Sequence, residues 1–213
     1  MGLREFIPFF KEEKKEIPDR RDEIRSLQDR VRLLEMVINR YRELIEEKEK
    51  KSISDLKLLV RPNDETVQKK KEEIIAGVRP YIYNQNFLKA AELCHKAVRE
   101  IRTYNTPINF WLTPKEMMDL KGGDPMDKAL FLCSLLIALE NPEVHVIIGM
   151  NKGIKVAVGF MFNNEFHILD PISSISAKGE KAKIIDEWFR DDRKVYEFND
   201  RNYVEIKSEE SEE

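Results

Sequence analysis

The chain has 213 residues, 41% of them apolar and 36% charged, with 37 Lys and Arg against 40 Asp and Glu for a formal net charge of −3. That length holds one sizeable domain with an extension, and the apolar fraction is enough for a buried core. The near-cancelling charge excludes the global basic signature of a nucleic-acid binder, no apolar run is long enough to cross a bilayer, and the start lacks a secretory pattern.

A cytoplasmic location, no nucleic-acid partner and no membrane span are therefore expected. Lysine and glutamate dominate while glutamine is scarce, a bias that thermophile proteins tend to show. Cys94 and Cys133 lie in apolar helical surroundings, and neither has another cysteine at metal-ligand spacing. Two reduced core thiols are expected, with no metal and no cofactor.

Residues 1–17 carry Leu3, Phe6, Ile7, Phe9 and Phe10 ahead of a mixed-charge run. This aromatic segment is too short and too little basic for a membrane-surface helix, so docking onto the protein's own core or a neighbouring subunit is the favoured reading. Residues 18–51 form a glycine-free helical pattern in which Ile24, Leu27, Val31, Leu34, Ile38, Tyr41 and Ile45 recur at alternating three- and four-residue spacing. Branched residues at one core position and leucine at the other favour a parallel two-stranded coiled coil, with Arg30 facing Glu35 of a second copy. A homodimer is expected. Val37 and Leu44 widen the stripe, so packing back on the globular domain, a helical hairpin and a tetramer stay open.

A short segment, 53–60, leads to Arg61-Pro62-Asn63-Asp64, which marks the start of a globular domain over 60–206. One helix passes through Val67, Ile74, Ile75 and Val78 and stops at Pro80. A second spans 86–101, with Leu88, Ala91, Leu93, Cys94, Ala97, Val98 and Ile101 on its apolar face. The core helix begins at Gly122-Gly123-Asp124-Pro125, with Asp124 as N-cap, Pro125 at the first helical position and Asp127 in the first turn. From Ala129 to Leu139 it is almost continuously apolar, so it should be buried on nearly all sides.

Three strands follow, 144–150, 154–162 and 165–169, joined at Asn151-Lys152-Gly153 and Asn163-Asn164, and should form an antiparallel sheet against that helix. A short amphipathic helix bearing Trp188 is read over 183–190, then a hairpin of 194–198 with 203–206. The acidic residues 207–213 read as a disordered tail.

Trp111-Leu112-Thr113-Pro114-Lys115-Glu116, then Gly123-Asp124-Pro125-Met126-Asp127-Lys128-Ala129 and Leu135-Leu136-Ile137-Ala138, and finally Phe166-His167-Ile168-Leu169-Asp170-Pro171, fall in one order along the chain. In that order and spacing they resemble the transglutaminase-like branch of the papain-like cysteine enzymes, over roughly residues 60–172. The resemblance implies an α+β fold with the core helix packed on an antiparallel sheet. It also implies a nucleophilic cysteine at the start of that helix, where the dipole and a neighbouring imidazole lower a thiol pKa.

The family's cysteine position is Pro125 here, and its general-base histidine position falls on Val156 or Ala157. None of these can attack or take a proton. Asp170 matches the orienting aspartate, although an ordinary turn residue before Pro171 is the favoured account of it. Cys133 lies about 12 Å along the helix from Pro125, beyond the dipole field, and reads as packing. His95, His145 and His167 read as structural or surface histidines.

These readings imply a catalytically inactive member, a pseudoenzyme. Its cleft would be lined by Trp111, Pro125, Met126, Val156, Ala157 and Asp170 and would bind a peptide or protein, with self-association through the coiled coil making it a multivalent scaffold. Two alternatives are an active cysteine peptidase or transglutaminase-like hydrolase with a displaced nucleophile, and a structural coiled-coil tether.

Overall fold

A computed structural model describes residues 20–48, 53–104, 110–151 and 153–207. The chain divides into two compact units, residues 1–45 and 46–213. The expected aromatic segment 1–17 lies outside the described residues, and so does the expected acidic tail except for Lys207, which ends a strand.

α1 (Arg20–Lys48), all but its last three residues in the first unit, is one unbroken helix of 29 residues, about 43 Å long. No glycine or proline interrupts it, which is why a strongly charged sequence holds a helix of that length. Ile24, Leu27, Val31, Leu34 and Tyr41 are each at least half exposed, and Ile38 is partly buried. The side chain of Ile45, the last position of the expected seam, is outside the described residues. Leu33, Met36 and Leu44 are exposed too, so the apolar surface runs wider than a two-position seam.

The second unit is α+β. Its helices are α2 (Ile53–Leu56), continued by a 3-10 turn, then α3 (Glu65–Ile75) and α4 (Tyr83–Glu100). Asp64 caps α3 by accepting from the Thr66 N–H at 2.8 Å. Next come β1 (Arg102–Thr103), α5 (Pro114–Leu120), β2 (Gly122–Gly123) and α6 (Pro125–Ala138). The remaining elements are β3 (Val144–Met150), β4 (Ile154–Phe162), β5 (Glu165–Leu169), β6 (Ser176–Gly179), α7 (Lys181–Trp188), β7 (Lys194–Phe198) and β8 (Tyr203–Lys207).

Strands β3 to β8 form one sheet in the order β6-β5-β4-β3-β7-β8, antiparallel throughout, while β1 and β2 pair separately and in parallel. The β4–β5 hairpin closes with Phe162 opposite Glu165, and Asn163 and Asn164 take φ of 50° and 61°. Two successive left-handed residues make the turn whose twist matches the strands it joins, and asparagine tolerates that conformation.

One sheet face packs on α6. Every residue of α6 from Met126 to Leu136 is buried, with α3 and α4 on the helix's other sides. Each fully buried Leu or Phe there contributes about 1.5–3 kcal/mol, so this helix dominates the apolar burial. Phe87 of α4 is fully buried, its ring edge-on to Phe160 at 5.3 Å and tilted against Phe162 at 5.1 Å. The opposite sheet face carries a smaller core in which Ile147, Ala157, Phe166 and Ile168 meet Ile184, Ile185 and Phe189.

Candidate functional site

The start of α6 is held by reciprocal carboxylate caps. Asp124 Oδ1 accepts from the Asp127 N–H at 2.8 Å, and Asp127 Oδ2 accepts from the Asp124 N–H at 2.9 Å. Asp127 Oδ1 also accepts from the Leu112 N–H at 2.7 Å, which ties the Trp111–Thr113 segment to the helix. Thr113 and Glu116 repeat the device at the start of α5. Burial, reinforced by the Asp124 carboxylate, pushes Asp127 up to about 7, and burial raises Asp124 as well. Pro125 occupies the first turn, where its missing N–H costs nothing.

The sheet wall is set by strand parity. Val158 and Phe160 belong to the core under α6, and Val156 packs against it, whereas Ala157 lies in the core on the opposite face. Of the two positions matching the family's base, only Val156 shares a face with α6. β5 ends at Leu169, and Asp170 turns the chain there. Its Oδ1 accepts from the Ile172 N–H at 2.8 Å and the Ser173 N–H at 3.1 Å, the geometry of an Asx turn. His95 of α4 is buried with Nε2 2.6 Å from the Asp170 carbonyl oxygen, so Nε2 carries the proton and donates it.

Pro125, Val156 and Asp170 line one open cleft of ≈ 470 Å³. Its other walls are Ile154 and Lys155 at the start of β4, Pro171, Ile172 and Ile175 of the loop after β5, and Glu187 and Trp188 at the end of α7. Three residues expected in these walls are absent from them. Ala157 points to the other sheet face, Met126 is buried inside the core with 4% exposure, and Trp111 packs against the α6 core. Trp188 and Lys155 were not foreseen. They reach the cleft because α7 covers the sheet face opposite α6, an arrangement no local pattern announces. Lys155 Nζ donates to the Trp188 carbonyl and lies 5.9 Å from the centre of its ring.

No thiol or imidazole stands among the cleft's described walls. Cys94 and Cys133 are fully buried, and burial pushes the Cys94 thiol up to about 12 and raises Cys133 further. Burial lowers all three histidines. His167 stacks on Phe160 with ring centres 5.0 Å apart, one strand away from the cleft edge. Lys128, one turn into α6, has 0% exposure. Its Nζ donates to Thr103 Oγ1 at 2.9 Å and to the Arg99 carbonyl at 3.4 Å, which makes it a buried tie to α4 and β1. Among the described residues no group of three or more His, Cys, Asp or Glu could hold a metal ion, and no helix is long and apolar enough to cross a membrane.

No family model and no curated protein matches the chain. Two solved structures are similar to it. Legionella pneumophila LapG, EGTA-treated, is 16% identical with a TM-score of 0.49, over 74% of this chain and 87% of that one. The calcium-bound form of the same protein is 18% identical with a TM-score of 0.48, over 76% and 91%. A likeness of this degree assigns no activity and no residue role to this chain.

Proposed function

We propose that this protein is a transglutaminase-like domain without its chemistry, acting as a peptide- or protein-binding module that self-associates through α1. The observation that carries this reading is the meeting of Pro125, Val156 and Asp170 in one cleft. The motif resemblance puts the nucleophile at Pro125, the base at Val156 or Ala157 and the orienting acid at Asp170, and of these Pro125, Val156 and Asp170 meet in the cleft. Two have become apolar, and the third uses one carboxylate oxygen to cap its own turn.

A displaced nucleophile is the less favoured reading. It needs a reactive thiol, and both thiols are buried with raised pKa values, which suppresses the thiolate that attacks. Self-association is supported by the exposed apolar stripe of Ile24, Leu27, Val31, Leu34 and Tyr41 on α1.

The test is selection of binders from a random peptide display library on the full chain, followed by titration of the winners against Trp188→Ala and Val156→Arg. Affinity that falls at least tenfold in both variants supports the reading. Winners that bind both variants as well as the parent chain contradict it.

A further inference from the structure

β4 is longer than its neighbour. Its residues 154–157 pair with Ile147–Met150 of β3, but pairing with β5 stops at Leu169 opposite Val158. Beyond that point Asp170 turns the chain and Pro171 has no N–H to give, so the ladder cannot continue. A four-residue stretch of strand edge, about 13 Å long, is therefore left without a neighbouring strand, and its first three residues, Ile154, Lys155 and Val156, line the cleft.

The direction of its backbone groups follows from the ladder. The Met161 N–H donates to the Glu143 carbonyl, so the odd-numbered residues of β4 are the ones bonded to β3. The even-numbered residues bond toward β5, as the hairpin closure at Phe162 and Glu165 requires. Ile154 and Val156 thus aim N–H and C=O groups out of the sheet, into the cleft. Side chains of an added strand would alternate between two walls. Pro125, Val156 and Ile154 form one, and Lys155, Glu187 and Trp188 form the other.

We propose that the cleft takes an uncharged, β-branched peptide segment as an added strand on the β4 edge, in the space β5 would fill if it continued. This rests on the binding-module reading and specifies its ligand. Residues opposite Ile154 and Val156 share their face, so they are apolar and meet Pro125. The residue between them lies opposite Lys155 and close to Glu187. A charge of either sign there meets one like and one opposite neighbour and gains little to offset the water it gives up, so a neutral residue is preferred. Exposed Ile172 and Ile175 form an apolar rim across the cleft, 45% and 60% exposed.

The test titrates the acetylated, amidated pentapeptide Thr-Val-Thr-Val-Thr against the isotope-labelled full chain, following amide signals by NMR. N-methylation of either valine removes a donor aimed at β4 and weakens binding about tenfold, whereas N-methylation of the central threonine leaves it unchanged. Lysine or glutamate at the centre weakens binding by about threefold. Ile154→Pro, which removes an N–H that β3 does not use from an exposed position at the start of β4, also weakens binding about tenfold at an unchanged unfolding midpoint. Binding that is lost in Trp188→Ala yet indifferent to the position of N-methylation overturns strand addition and leaves the binding-module reading intact. No binding by this peptide, while library-selected peptides still need Trp188, overturns the ligand class alone. If no peptide needs the cleft at all, both fail.

Discussion

Replacing Asp127 by asparagine separates two opposing effects at the start of α6. The carboxylate serves two backbone donors with two oxygens, Leu112 N–H on Oδ1 and Asp124 N–H on Oδ2. Asparagine keeps one acceptor and turns an NH2 group toward the other donor. That leaves a buried N–H unpaired, at a cost of about 1–3 kcal/mol. Against this, the wild-type carboxyl is raised to about 7 by burial and by Asp124, so the folded state holds a proton that the unfolded chain releases near pH 4. A raised acid stabilises the fold while protonated, and that contribution is lost as pH rises toward 7. The slope is at most about 1.4 kcal/mol per pH unit and flattens near pH 7, so the loss between pH 5 and 7 is on the order of 2 kcal/mol. Asp127→Asn should therefore be clearly less stable than wild type at pH 5, and the gap should close by pH 7 to 8. The three histidines, held below their ordinary value, add stability as pH rises toward that ordinary value of about 6.5. They act equally in both proteins, so the difference between the two curves isolates the acid pair. Urea unfolding at fixed ionic strength over pH 5 to 8 reads it. A gap that stays constant or widens with pH refutes the reasoning.

Phe87→Ala empties the aromatic cluster between α4 and the sheet and should cost about 3–5 kcal/mol by the same unfolding assay; a loss under 1 kcal/mol would mean the cluster is not packed as described. Leu27→Asp with Leu34→Asp should convert a self-associated chain to monomer in sedimentation velocity without moving the second unit's unfolding midpoint, and an unchanged mass would contradict association through α1. Pro125→Cys with Val156→His should give no peptide hydrolysis or acyl transfer above background. Asp170 Oδ1 is engaged in its own turn, and a restored pair without an aligned third group and oxyanion donors lacks the geometry that catalysis needs. Measurable turnover would contradict the non-catalytic reading.

Much of the second unit was legible because its signals are local. Alternation across Val144–Met150, Ile154–Phe162 and Glu165–Leu169, with Asn163-Asn164 between the last two, defines β3, β4 and β5. The Asp124-Pro125 start of α6 was readable for the same reason, since capping depends on adjacent residues. β6 was missed because Ser176-Ala177-Lys178-Gly179 has no apolar alternation and is a strand only by pairing with β5. α5 went unread as a helix although Thr113, Pro114 and Glu116 form a full capping box, a signal present in the sequence.

The site was half legible. Pro125, Val156 and Asp170 came from motif order, and strand parity alone would have set Ala157 aside, because Val158 and Phe160 share Val156's face. Trp188, Lys155 and the open edge of β4 depend on where β5 stops and where α7 lands. Those are tertiary facts, and the composition of residues 154–157 does not carry them.

The central claim is that this cleft has no nucleophile, and native-state alkylation of Cys94 and Cys133 across pH tests it most directly. Mass spectrometry against the unfolded chain gives both rates. Both thiols should stay protected until the protein unfolds, as full burial and raised pKa values require. A thiol that reacts rapidly in the folded protein, well below the ordinary value of about 8.5, would contradict the account.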